Sequence, residues 1–174
     1  MHLRRVAVPS ALILALVLVP AAEAKLPNPK VTTIVPGKSV AGVKLGMRLA
    51  VAKQTWGPGS KCGAGAAGPG STSCTWSATP NAQPDRGPKL ILLSIGGKVR
   101  AITVDGGTGG PAIKAFHTAK GIGVGSTLAA LRAAYAGLGT SLGPDNPSLG
   151  SGPTITSFYV KGGRVRSIQV GSPY

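Results

Sequence analysis

Apolar residues recur at helical spacing in two parts of the chain. In each part, four positions separated by four, three and four residues end on an aromatic side chain: Leu45, Leu49, Ala52 and Trp56, then Val124, Leu128, Leu131 and Tyr135. Because this spacing places each set on one side of a helix, the sequence predicts two short amphipathic helices. Gly57-Pro58 is predicted to end the first helix, and Gly137 with Gly139 the second. Ser126 is the predicted N-cap of the second helix.

Two segments rich in β-forming residues, Lys89–Ile95 and residues 154–160, follow the helices. Each is succeeded by a Gly-Gly pair and a further alternating segment, a pattern typical of a β-hairpin. Residues 73–77 are predicted to add a strand to the first hairpin, with no clear counterpart in the second half. Strict alternation after the first turn places Arg100 on the same face as Ile102, which predicts either a β-bulge or a sheet covered partly on both faces.

Two blocks of sequence recur in the same order, which indicates an internal duplication. Residues 42–50 match residues 121–129 at an offset of 79, and residues 96–104 match residues 162–170 at an offset of 66. The predicted fold class is α+β, with two tandem helix-plus-antiparallel-hairpin units forming two-layer helix-on-sheet sandwiches. The predicted divisions are a signal peptide at 1–24, a first repeat with a disulfide loop at 25–110, and a second repeat at 111–174.

The N-terminal segment has the pattern of a cleavable secretory signal. Two arginines precede an apolar run, and Ala-Glu-Ala at residues 22–24 supplies the small-x-small pattern at which cleavage occurs. The uninterrupted apolar stretch, residues 11–19, is shorter than the roughly 20 residues that span a bilayer, so cleavage after Ala24 is favoured over a membrane anchor. The sequence predicts a secreted, periplasmic or cell-envelope protein with no transmembrane segment after cleavage.

The charge of the chain is strongly unbalanced. Of 19 basic and 4 acidic residues, the signal segment contains Arg4, Arg5 and Glu23, which leaves 17 basic and 3 acidic residues and a net charge of +14. This charge favours anionic partners such as acidic envelope polymers, although it also serves solubility alone. The basic residues are scattered and aromatic residues are only 4% of the chain, which argues against a nucleic-acid partner.

Cys62 and Cys74 are the only cysteines. In an exported chain such a pair predicts a disulfide. A metal site is the alternative, but two sulfurs without a nearby histidine do not complete a tetrahedral site, so no metal is predicted. The glycine-rich residues 63–68 match a dinucleotide-binding string, but Pro69-Gly70 follows where a helix has to begin, so no cofactor is predicted.

Groups able to perform acid-base chemistry are scarce. After residue 24 the acidic residues are Asp85, Asp105 and Asp145, all assigned to Gly/Pro-rich loops, and His117 is the one histidine. A Ser-His-Asp arrangement could draw on Asp105, His117 and a serine. Residues 139–143 match Gly-x-Ser-x-Gly as a string, but they follow the second predicted helix instead of joining a strand to a helix, so no nucleophile elbow is predicted. We therefore predict no catalytic residues and a protein that is not an enzyme.

Basic residues recur beside both predicted hairpin turns. They are Lys98 and Arg100 in the first copy and Arg164 and Arg166 in the second. We predict that these four residues contact a partner. A strand edge guarded by charge would show the same pattern, so both interpretations stay open.

The helix-and-hairpin pattern resembles a known family. Gly-Met-Arg-Leu at residues 46–49 and Trp-Gly-Pro at residues 56–58, followed by a hairpin with Gly-x-Val-x-x-Ile, resemble the unit of the SmpA/OmlA (BamE-like) outer-membrane assembly lipoproteins. Two such units with a disulfide in the first are similar to the secreted β-lactamase inhibitor protein (BLIP-like) family. The resemblance implies an α+β fold whose sheets form one protein-binding surface. The acylated cysteine of the lipoproteins has no counterpart here.

These observations predict a secreted, non-catalytic binding module that contacts another exported or envelope protein through its sheet surface. The alternatives are a basic polyanion-binding protein of the cell envelope and a purely structural envelope protein. A hydrolase inhibitor is a further alternative, implied by the resemblance.

Overall fold

The computed structural model describes residues 26–27, 31–78, 87–107, 111–139 and 146–172. Two α-helices and two β-sheets lie within these ranges, which confirms the mixed α+β composition. The predicted signal peptide, Asp85 and Asp145 lie outside the described residues. No helix in the described ranges is long and apolar enough to span a bilayer.

The helices and strands have the following bounds in chain order. They are β1 (Thr33–Val35), β2 (Ser39–Val40), β3 (Val43–Lys44), α1 (Leu49–Trp56), β4 (Lys61–Ala64), β5 (Ser71–Ser77), β6 (Lys89–Ile95), β7 (Lys98–Asp105), β8 (His117–Thr118), α2 (Leu128–Ala134), β9 (Ser148–Leu149), β10 (Thr156–Lys161) and β11 (Arg164–Gly171). Short 3-10 helices occupy Pro111–Ala115 and Gly152–Thr154.

Both predicted helices form, but neither includes the first residue of its apolar set. Leu45 and Val124 lie in the turns before α1 and α2. The cause is the glycine that follows each of them, since Gly46 has φ +79° and Gly125 has φ +93°. A positive φ is incompatible with a right-handed helix, so each helix begins only after its glycine.

The predicted ends of the second helix are wrong, while the end of the first is confirmed. Thr127, not Ser126, is the N-cap of α2, because its Oγ1 accepts the Ala130 N–H at 3.1 Å. The Ser126 hydroxyl instead accepts the Gly123 N–H at 3.1 Å. Helix α2 stops at Ala134, before the predicted glycines, whereas α1 ends at the expected Gly57.

Seven strands form one antiparallel sheet in the order β4-β5-β6-β7-β11-β10-β9. The predicted strand at Lys89–Ile95 is confirmed as β6, and the strand predicted at 73–77 begins two residues earlier as β5. The strand predicted at 154–160 begins at Thr156, because a 3-10 helix occupies Gly152–Thr154. Both hairpins, β6–β7 and β10–β11, belong to this sheet and meet through β7 and β11.

Several short strands were not predicted from the sequence. β9 pairs with β10 on the side that corresponds to β5 beside β6, so the second half does have a counterpart strand, of two residues. A second sheet has the order β3-β2-β1-β8, in which β1 and β8 are parallel. Each of its strands has two or three residues, too few for an alternating pattern to be recognised.

One face of the seven-stranded sheet packs into the hydrophobic core. A row of side chains crosses the sheet in register and is fully buried: Trp76, Leu90, Val104, Ile168 and Phe158. Both helices cover this face. The ring of Trp56 on α1 meets Trp76 at 5.1 Å between centroids, and the ring of Tyr135, the C-cap of α2, meets Phe158 at 6.2 Å. The small sheet contributes Ile34, Val40 and Val43 to the same core.

The predicted disulfide is confirmed between Cys62 and Cys74. The two residues lie directly opposite each other on β4 and β5, with their Cα atoms 4.1 Å apart. Cys74 is fully buried, whereas Cys62 is exposed. The bond therefore attaches the edge strand β4 to the buried part of the sheet.

Alanine substitutions of two adjacent leucines on β6 test which face of the sheet is buried. Leu92→Ala removes a fully buried side chain and is expected to lower the free energy of unfolding by about 2–5 kcal/mol. Leu93→Ala removes a half-buried side chain on the other face and is expected to cost about 1 kcal/mol. Urea denaturation of both variants measures the difference. Equal losses would contradict the assignment of the faces.

Loss of the disulfide is expected to destabilise the fold. Its sequence separation is 12 residues, and closing a loop of this size stabilises a protein by about 3 kcal/mol through the unfolded chain. The double variant Cys62→Ser/Cys74→Ser should show this loss in urea denaturation. Reduction of the wild-type protein should reproduce it, and an unchanged midpoint on reduction would refute the expectation.

Candidate functional site

Arg100 is the extra residue of a β-bulge on β7. Leu93 pairs with Ala101 and the next residue, Ser94, pairs with Val99, so Arg100 has no partner opposite it on β6. The bulge lets both Val99 and Ile102 point into the core while Arg100 is exposed. Of the two explanations offered by the sequence, the bulge is therefore the correct one.

The same irregularity occurs at Arg166 in the second hairpin. Tyr159 pairs with Ser167 and Val160 pairs with Val165, which leaves Arg166 without a partner opposite it on β10. Arg166 follows Arg100 at the offset of 66 that relates the two sequence blocks. Each hairpin thus has a bulge at the corresponding position, and in each the extra residue is an arginine.

Backbone hydrogen bonds between each hairpin and the segment before each helix also correspond. In the first half, Gly46 N–H donates to Val99 O, Val99 N–H to Met47 O and Leu49 N–H to Gly97 O, each at 2.8 Å. The bonds at offsets of 79 and 66 are Gly125 N–H to Val165 O at 2.8 Å, Val165 N–H to Ser126 O at 2.9 Å and Leu128 N–H to Gly163 O at 2.9 Å. Leu49 and Leu128 therefore occupy equivalent surroundings.

The four basic residues predicted to contact a partner line two different cavities. Lys98 and Arg100 line a cavity of about 260 Å³, and Arg164 and Arg166 line one of about 570 Å³. All four residues are exposed. The cavities correspond, because six residues of the smaller one recur in the larger one at the repeat offsets: Leu45, Gly46, Ile95, Lys98, Val99 and Arg100 become Val124, Gly125, Lys161, Arg164, Val165 and Arg166.

Two further basic residues of the larger cavity were missed by sequence reasoning. Lys161 stands where the first copy has Ile95, so extending the repeat comparison by one residue before the Gly-Gly pair would have found it. Lys114 comes from the 3-10 helix Pro111–Ala115, outside both repeated blocks, and no sequence signal connects it with the hairpin.

Hydrogen bonding distinguishes the arginines of the two cavities. Arg164 Nη1 donates to Gly125 O at 2.9 Å, and Arg166 Nη1 is 3.4 Å from Gly107 O. Within the described residues, Lys98 and Arg100 form no side-chain hydrogen bond. The guanidinium groups of the larger cavity are therefore held in place, while the basic groups of the smaller one are not.

The sheet face opposite the core, here called the open face, carries mostly uncharged side chains. Its central row in register is Lys61, Thr75, Ile91, Thr103, Gln169 and Ser157. Lys61 at one end is exposed, and Ser157 at the other end is buried. The apolar side chains of this face include Ile91 and Leu93, which are half-buried, and Ala101, which is buried opposite Leu93. All three lie outside the hydrophobic core cluster. Tyr159 on β10 is 49% exposed.

One ion pair lies on the open face. Lys89 Nζ is 3.7 Å from Asp105 Oδ2, and the Gly107 N–H donates to Asp105 Oδ1 at 2.9 Å. Asp105 was predicted to lie in a loop, but it is the last residue of β7, where it pairs in register with Lys89. Lys61, which is exposed on β4 opposite Thr75, adds a positive charge at one end of the face.

The candidate groups for acid-base chemistry bond to separate partners. His117 Nδ1 is 2.7 Å from Ala115 O, whereas the Asp105 carboxylate is engaged by Lys89 and Gly107. In the part of the chain that the structure describes, no three His, Cys, Asp or Glu residues are grouped as metal ligands. Residues 61–64 form a strand and a turn follows, so no helix begins in the glycine-rich string.

No protein-family model, curated protein or solved structure matches this chain. The resemblance to the SmpA/OmlA and β-lactamase inhibitor protein families therefore stays a prediction.

Substitutions of Arg164 and of its counterpart Lys98 test whether the guanidinium hydrogen bond stabilises the fold. Arg164→Ala removes the bond to Gly125 O and is expected to lower the free energy of unfolding by about 0.5–1.5 kcal/mol. Lys98→Ala changes the equivalent charge without breaking a hydrogen bond to a described residue, and should stay within about 0.5 kcal/mol of wild type. Urea denaturation measures both, and equal effects would contradict the assigned role of Arg164.

Proposed function

We propose that this chain is an exported, non-catalytic binding protein that recognises another protein through the open face of its seven-stranded sheet. The observation that carries the proposal is that one face of the sheet forms the core while the other presents mostly uncharged side chains outside it. A sheet packed on one side only leaves its second side available for recognition.

The proposed architecture is a duplicated unit whose two copies share one sheet. The matching backbone hydrogen bonds and the matching bulges support this duplication. The seam between the copies supports it too, because Thr103 on β7 lies opposite Gln169 on β11, its equivalent at the offset of 66. A pairing centred on equivalent residues relates the copies by an approximate two-fold axis. Such an arrangement places both helices on one face and leaves the other face continuous.

The size of the open face fits a protein partner. With about 4.8 Å between neighbouring strands, seven strands span about 29 Å, and the face measures on the order of 600 Å². Stable protein interfaces bury about 800 Å² on each partner, so the open face with its rim is of the required size.

The chemistry of the open face favours a protein partner over a polyanion. Hydroxyl and amide groups alternate there with Ile91 and Leu93, and Tyr159 adds an exposed aromatic ring. Tyrosines are enriched among the residues that dominate binding energy, and the buried core of an interface is more apolar than its rim. The Lys89–Asp105 pair balances its own charge, and Lys61 lies on the edge strand β4, so the centre of the face carries no unpaired charge among the described residues. Hydrolase inhibition, which the family resemblance implies, is one form that this binding would take.

Site-specific photo-crosslinking tests the proposed surface. A photoreactive amino acid replaces Gln169 or Tyr159 on the open face, and Val51 on α1, which is 45% exposed, provides the matched control. The variants are incubated with the extracellular and envelope fractions of the source cells. We expect one predominant crosslinked protein from the two face positions and not from Val51. Crosslinks that are absent at the face, or the same at all three positions, would contradict the proposal.

Binding of the purified partner then measures the contribution of the surface. Tyr159→Ala should raise the Kd about tenfold or more, because truncating an aromatic residue that anchors an interface commonly costs at least about 1.4 kcal/mol. Val51→Ala should leave the Kd unchanged. Thermal unfolding of both variants establishes that they are folded.

A further inference from the structure

The larger cavity concentrates positive charge. Lys114, Lys161, Arg164 and Arg166 line it, and its volume of about 570 Å³ lies in the range of about 300–1,000 Å³ that is typical of small-molecule sites. Asp105 is the one acidic residue in the described ranges, and it is paired with Lys89. Within those ranges no ion pair neutralises the four cations, which repel one another until an anion enters.

The two arginines of the cavity are oriented before any ligand binds. Each guanidinium has five N–H donors and uses one on a backbone carbonyl, Arg164 on Gly125 and Arg166 on Gly107. The first of these carbonyls is itself fixed, because Gly125 N–H donates to Val165 O at 2.8 Å. The backbone beside the second is fixed as well, because Gly106 N–H donates to Arg166 O at 2.8 Å. A ligand therefore meets donors whose conformational freedom is already reduced.

We propose that this cavity binds a phosphate group carried by a small molecule. Planar guanidinium groups bind phosphate oxygens through paired N–H donors, and lysines add compact charge around them. A phosphate ester has three terminal oxygens and nearly two negative charges, which suits four cationic groups better than the single charge of a carboxylate. Val124, the partly exposed apolar residue of the lining, would contact the carbon skeleton of the ligand. This site is separate from the open face and does not depend on the protein-binding proposal.

The smaller cavity provides an internal comparison. It has Ile95 in place of Lys161, its volume is about 260 Å³, and Lys98 and Arg100 are not anchored by hydrogen bonds to described residues. The two cavities therefore have corresponding linings, but the larger one contains more basic residues and its arginines are held by hydrogen bonds. Only the larger one has the features of an anion site.

Titration of the purified protein with glycerol 3-phosphate, followed by NMR, tests the site. The amide signals of Gly106, Gly125 and Gly162 should shift and saturate, while those of Gly46, Gly96 and Gly97 beside the smaller cavity should not. Arg164→Ala/Arg166→Ala should weaken binding at least about tenfold, because it removes both bidentate donors. Lys98→Ala/Arg100→Ala removes the same net charge at the equivalent positions, and should change the affinity less than about twofold.

Two outcomes would overturn the proposal. One is equal weakening by the two double variants, which would indicate attraction to the overall charge instead of a site. The other is the absence of saturable shifts with both glycerol 3-phosphate and inorganic phosphate. Should the arginine variant fail to fold, Lys161→Ile serves in its place, because it copies the residue of the smaller cavity and breaks no hydrogen bond to a described residue. This variant should weaken binding by about three- to fivefold.

A vesicle assay identifies the source of the phosphate. Co-sedimentation with phosphatidylglycerol vesicles that is lost in Arg164→Ala/Arg166→Ala, but kept in Lys98→Ala/Arg100→Ala, would assign a lipid headgroup to the site. Binding of glycerol 3-phosphate without vesicle binding would assign a soluble phosphorylated compound. Both results support the phosphate site, whereas equal vesicle binding by all variants together with no response to glycerol 3-phosphate counts against it.

Discussion

The antiparallel pairing of β7 with β11 is the contact on which the rest of the structure depends. Its five residue pairs join the two hairpins, and the buried row of the sheet crosses this seam where Val104 lies opposite Ile168. Without the seam, each hairpin would expose an unpaired edge and the core would divide into two narrow parts. Gly171 shows how closely the seam is packed, because its φ is +92° and a Cβ there would collide with the Arg100 carbonyl and with Leu45.

The two bulges connect this sheet with the charged surface. An extra residue in one strand changes which side chains face the core, so Val99 and Val165 are buried while Arg100 and Arg166 are turned outward. In an unbroken ladder, an arginine would have to enter the core or an aliphatic residue would have to leave it. The same local insertion thus preserves the apolar interior and places a guanidinium group at the wall of a cavity.

The sequence predicted the elements whose patterns are long enough to be recognised. The hairpin at Lys89–Ile95 and the Gly-Gly turns followed from alternation and turn chemistry, and the conflict at Arg100 correctly indicated an irregularity. Strands of two residues such as β8 and β9 have no detectable period, and the N-cap of α2 depended on a one-residue difference between neighbouring hydroxyl groups. Two of the four basic residues of the larger cavity, Arg164 and Arg166, were also identified from the sequence. Lys114 was not, because it is distant in sequence and comes close to them only when the chain folds.

The parallel pairing of β1 with β8 constrains the order in which the molecule acquires its structure. Thr33 pairs with His117, and the neighbouring Ile34 is fully buried. Synthesis proceeds from the N-terminus, so β1 is available long before its parallel neighbour exists. Until that neighbour arrives, Ile34 and the unpaired edge of β1 stay accessible to other chains. A nascent or truncated polypeptide that ends before His117 would therefore keep an exposed strand edge that can pair with other chains until β8 covers it.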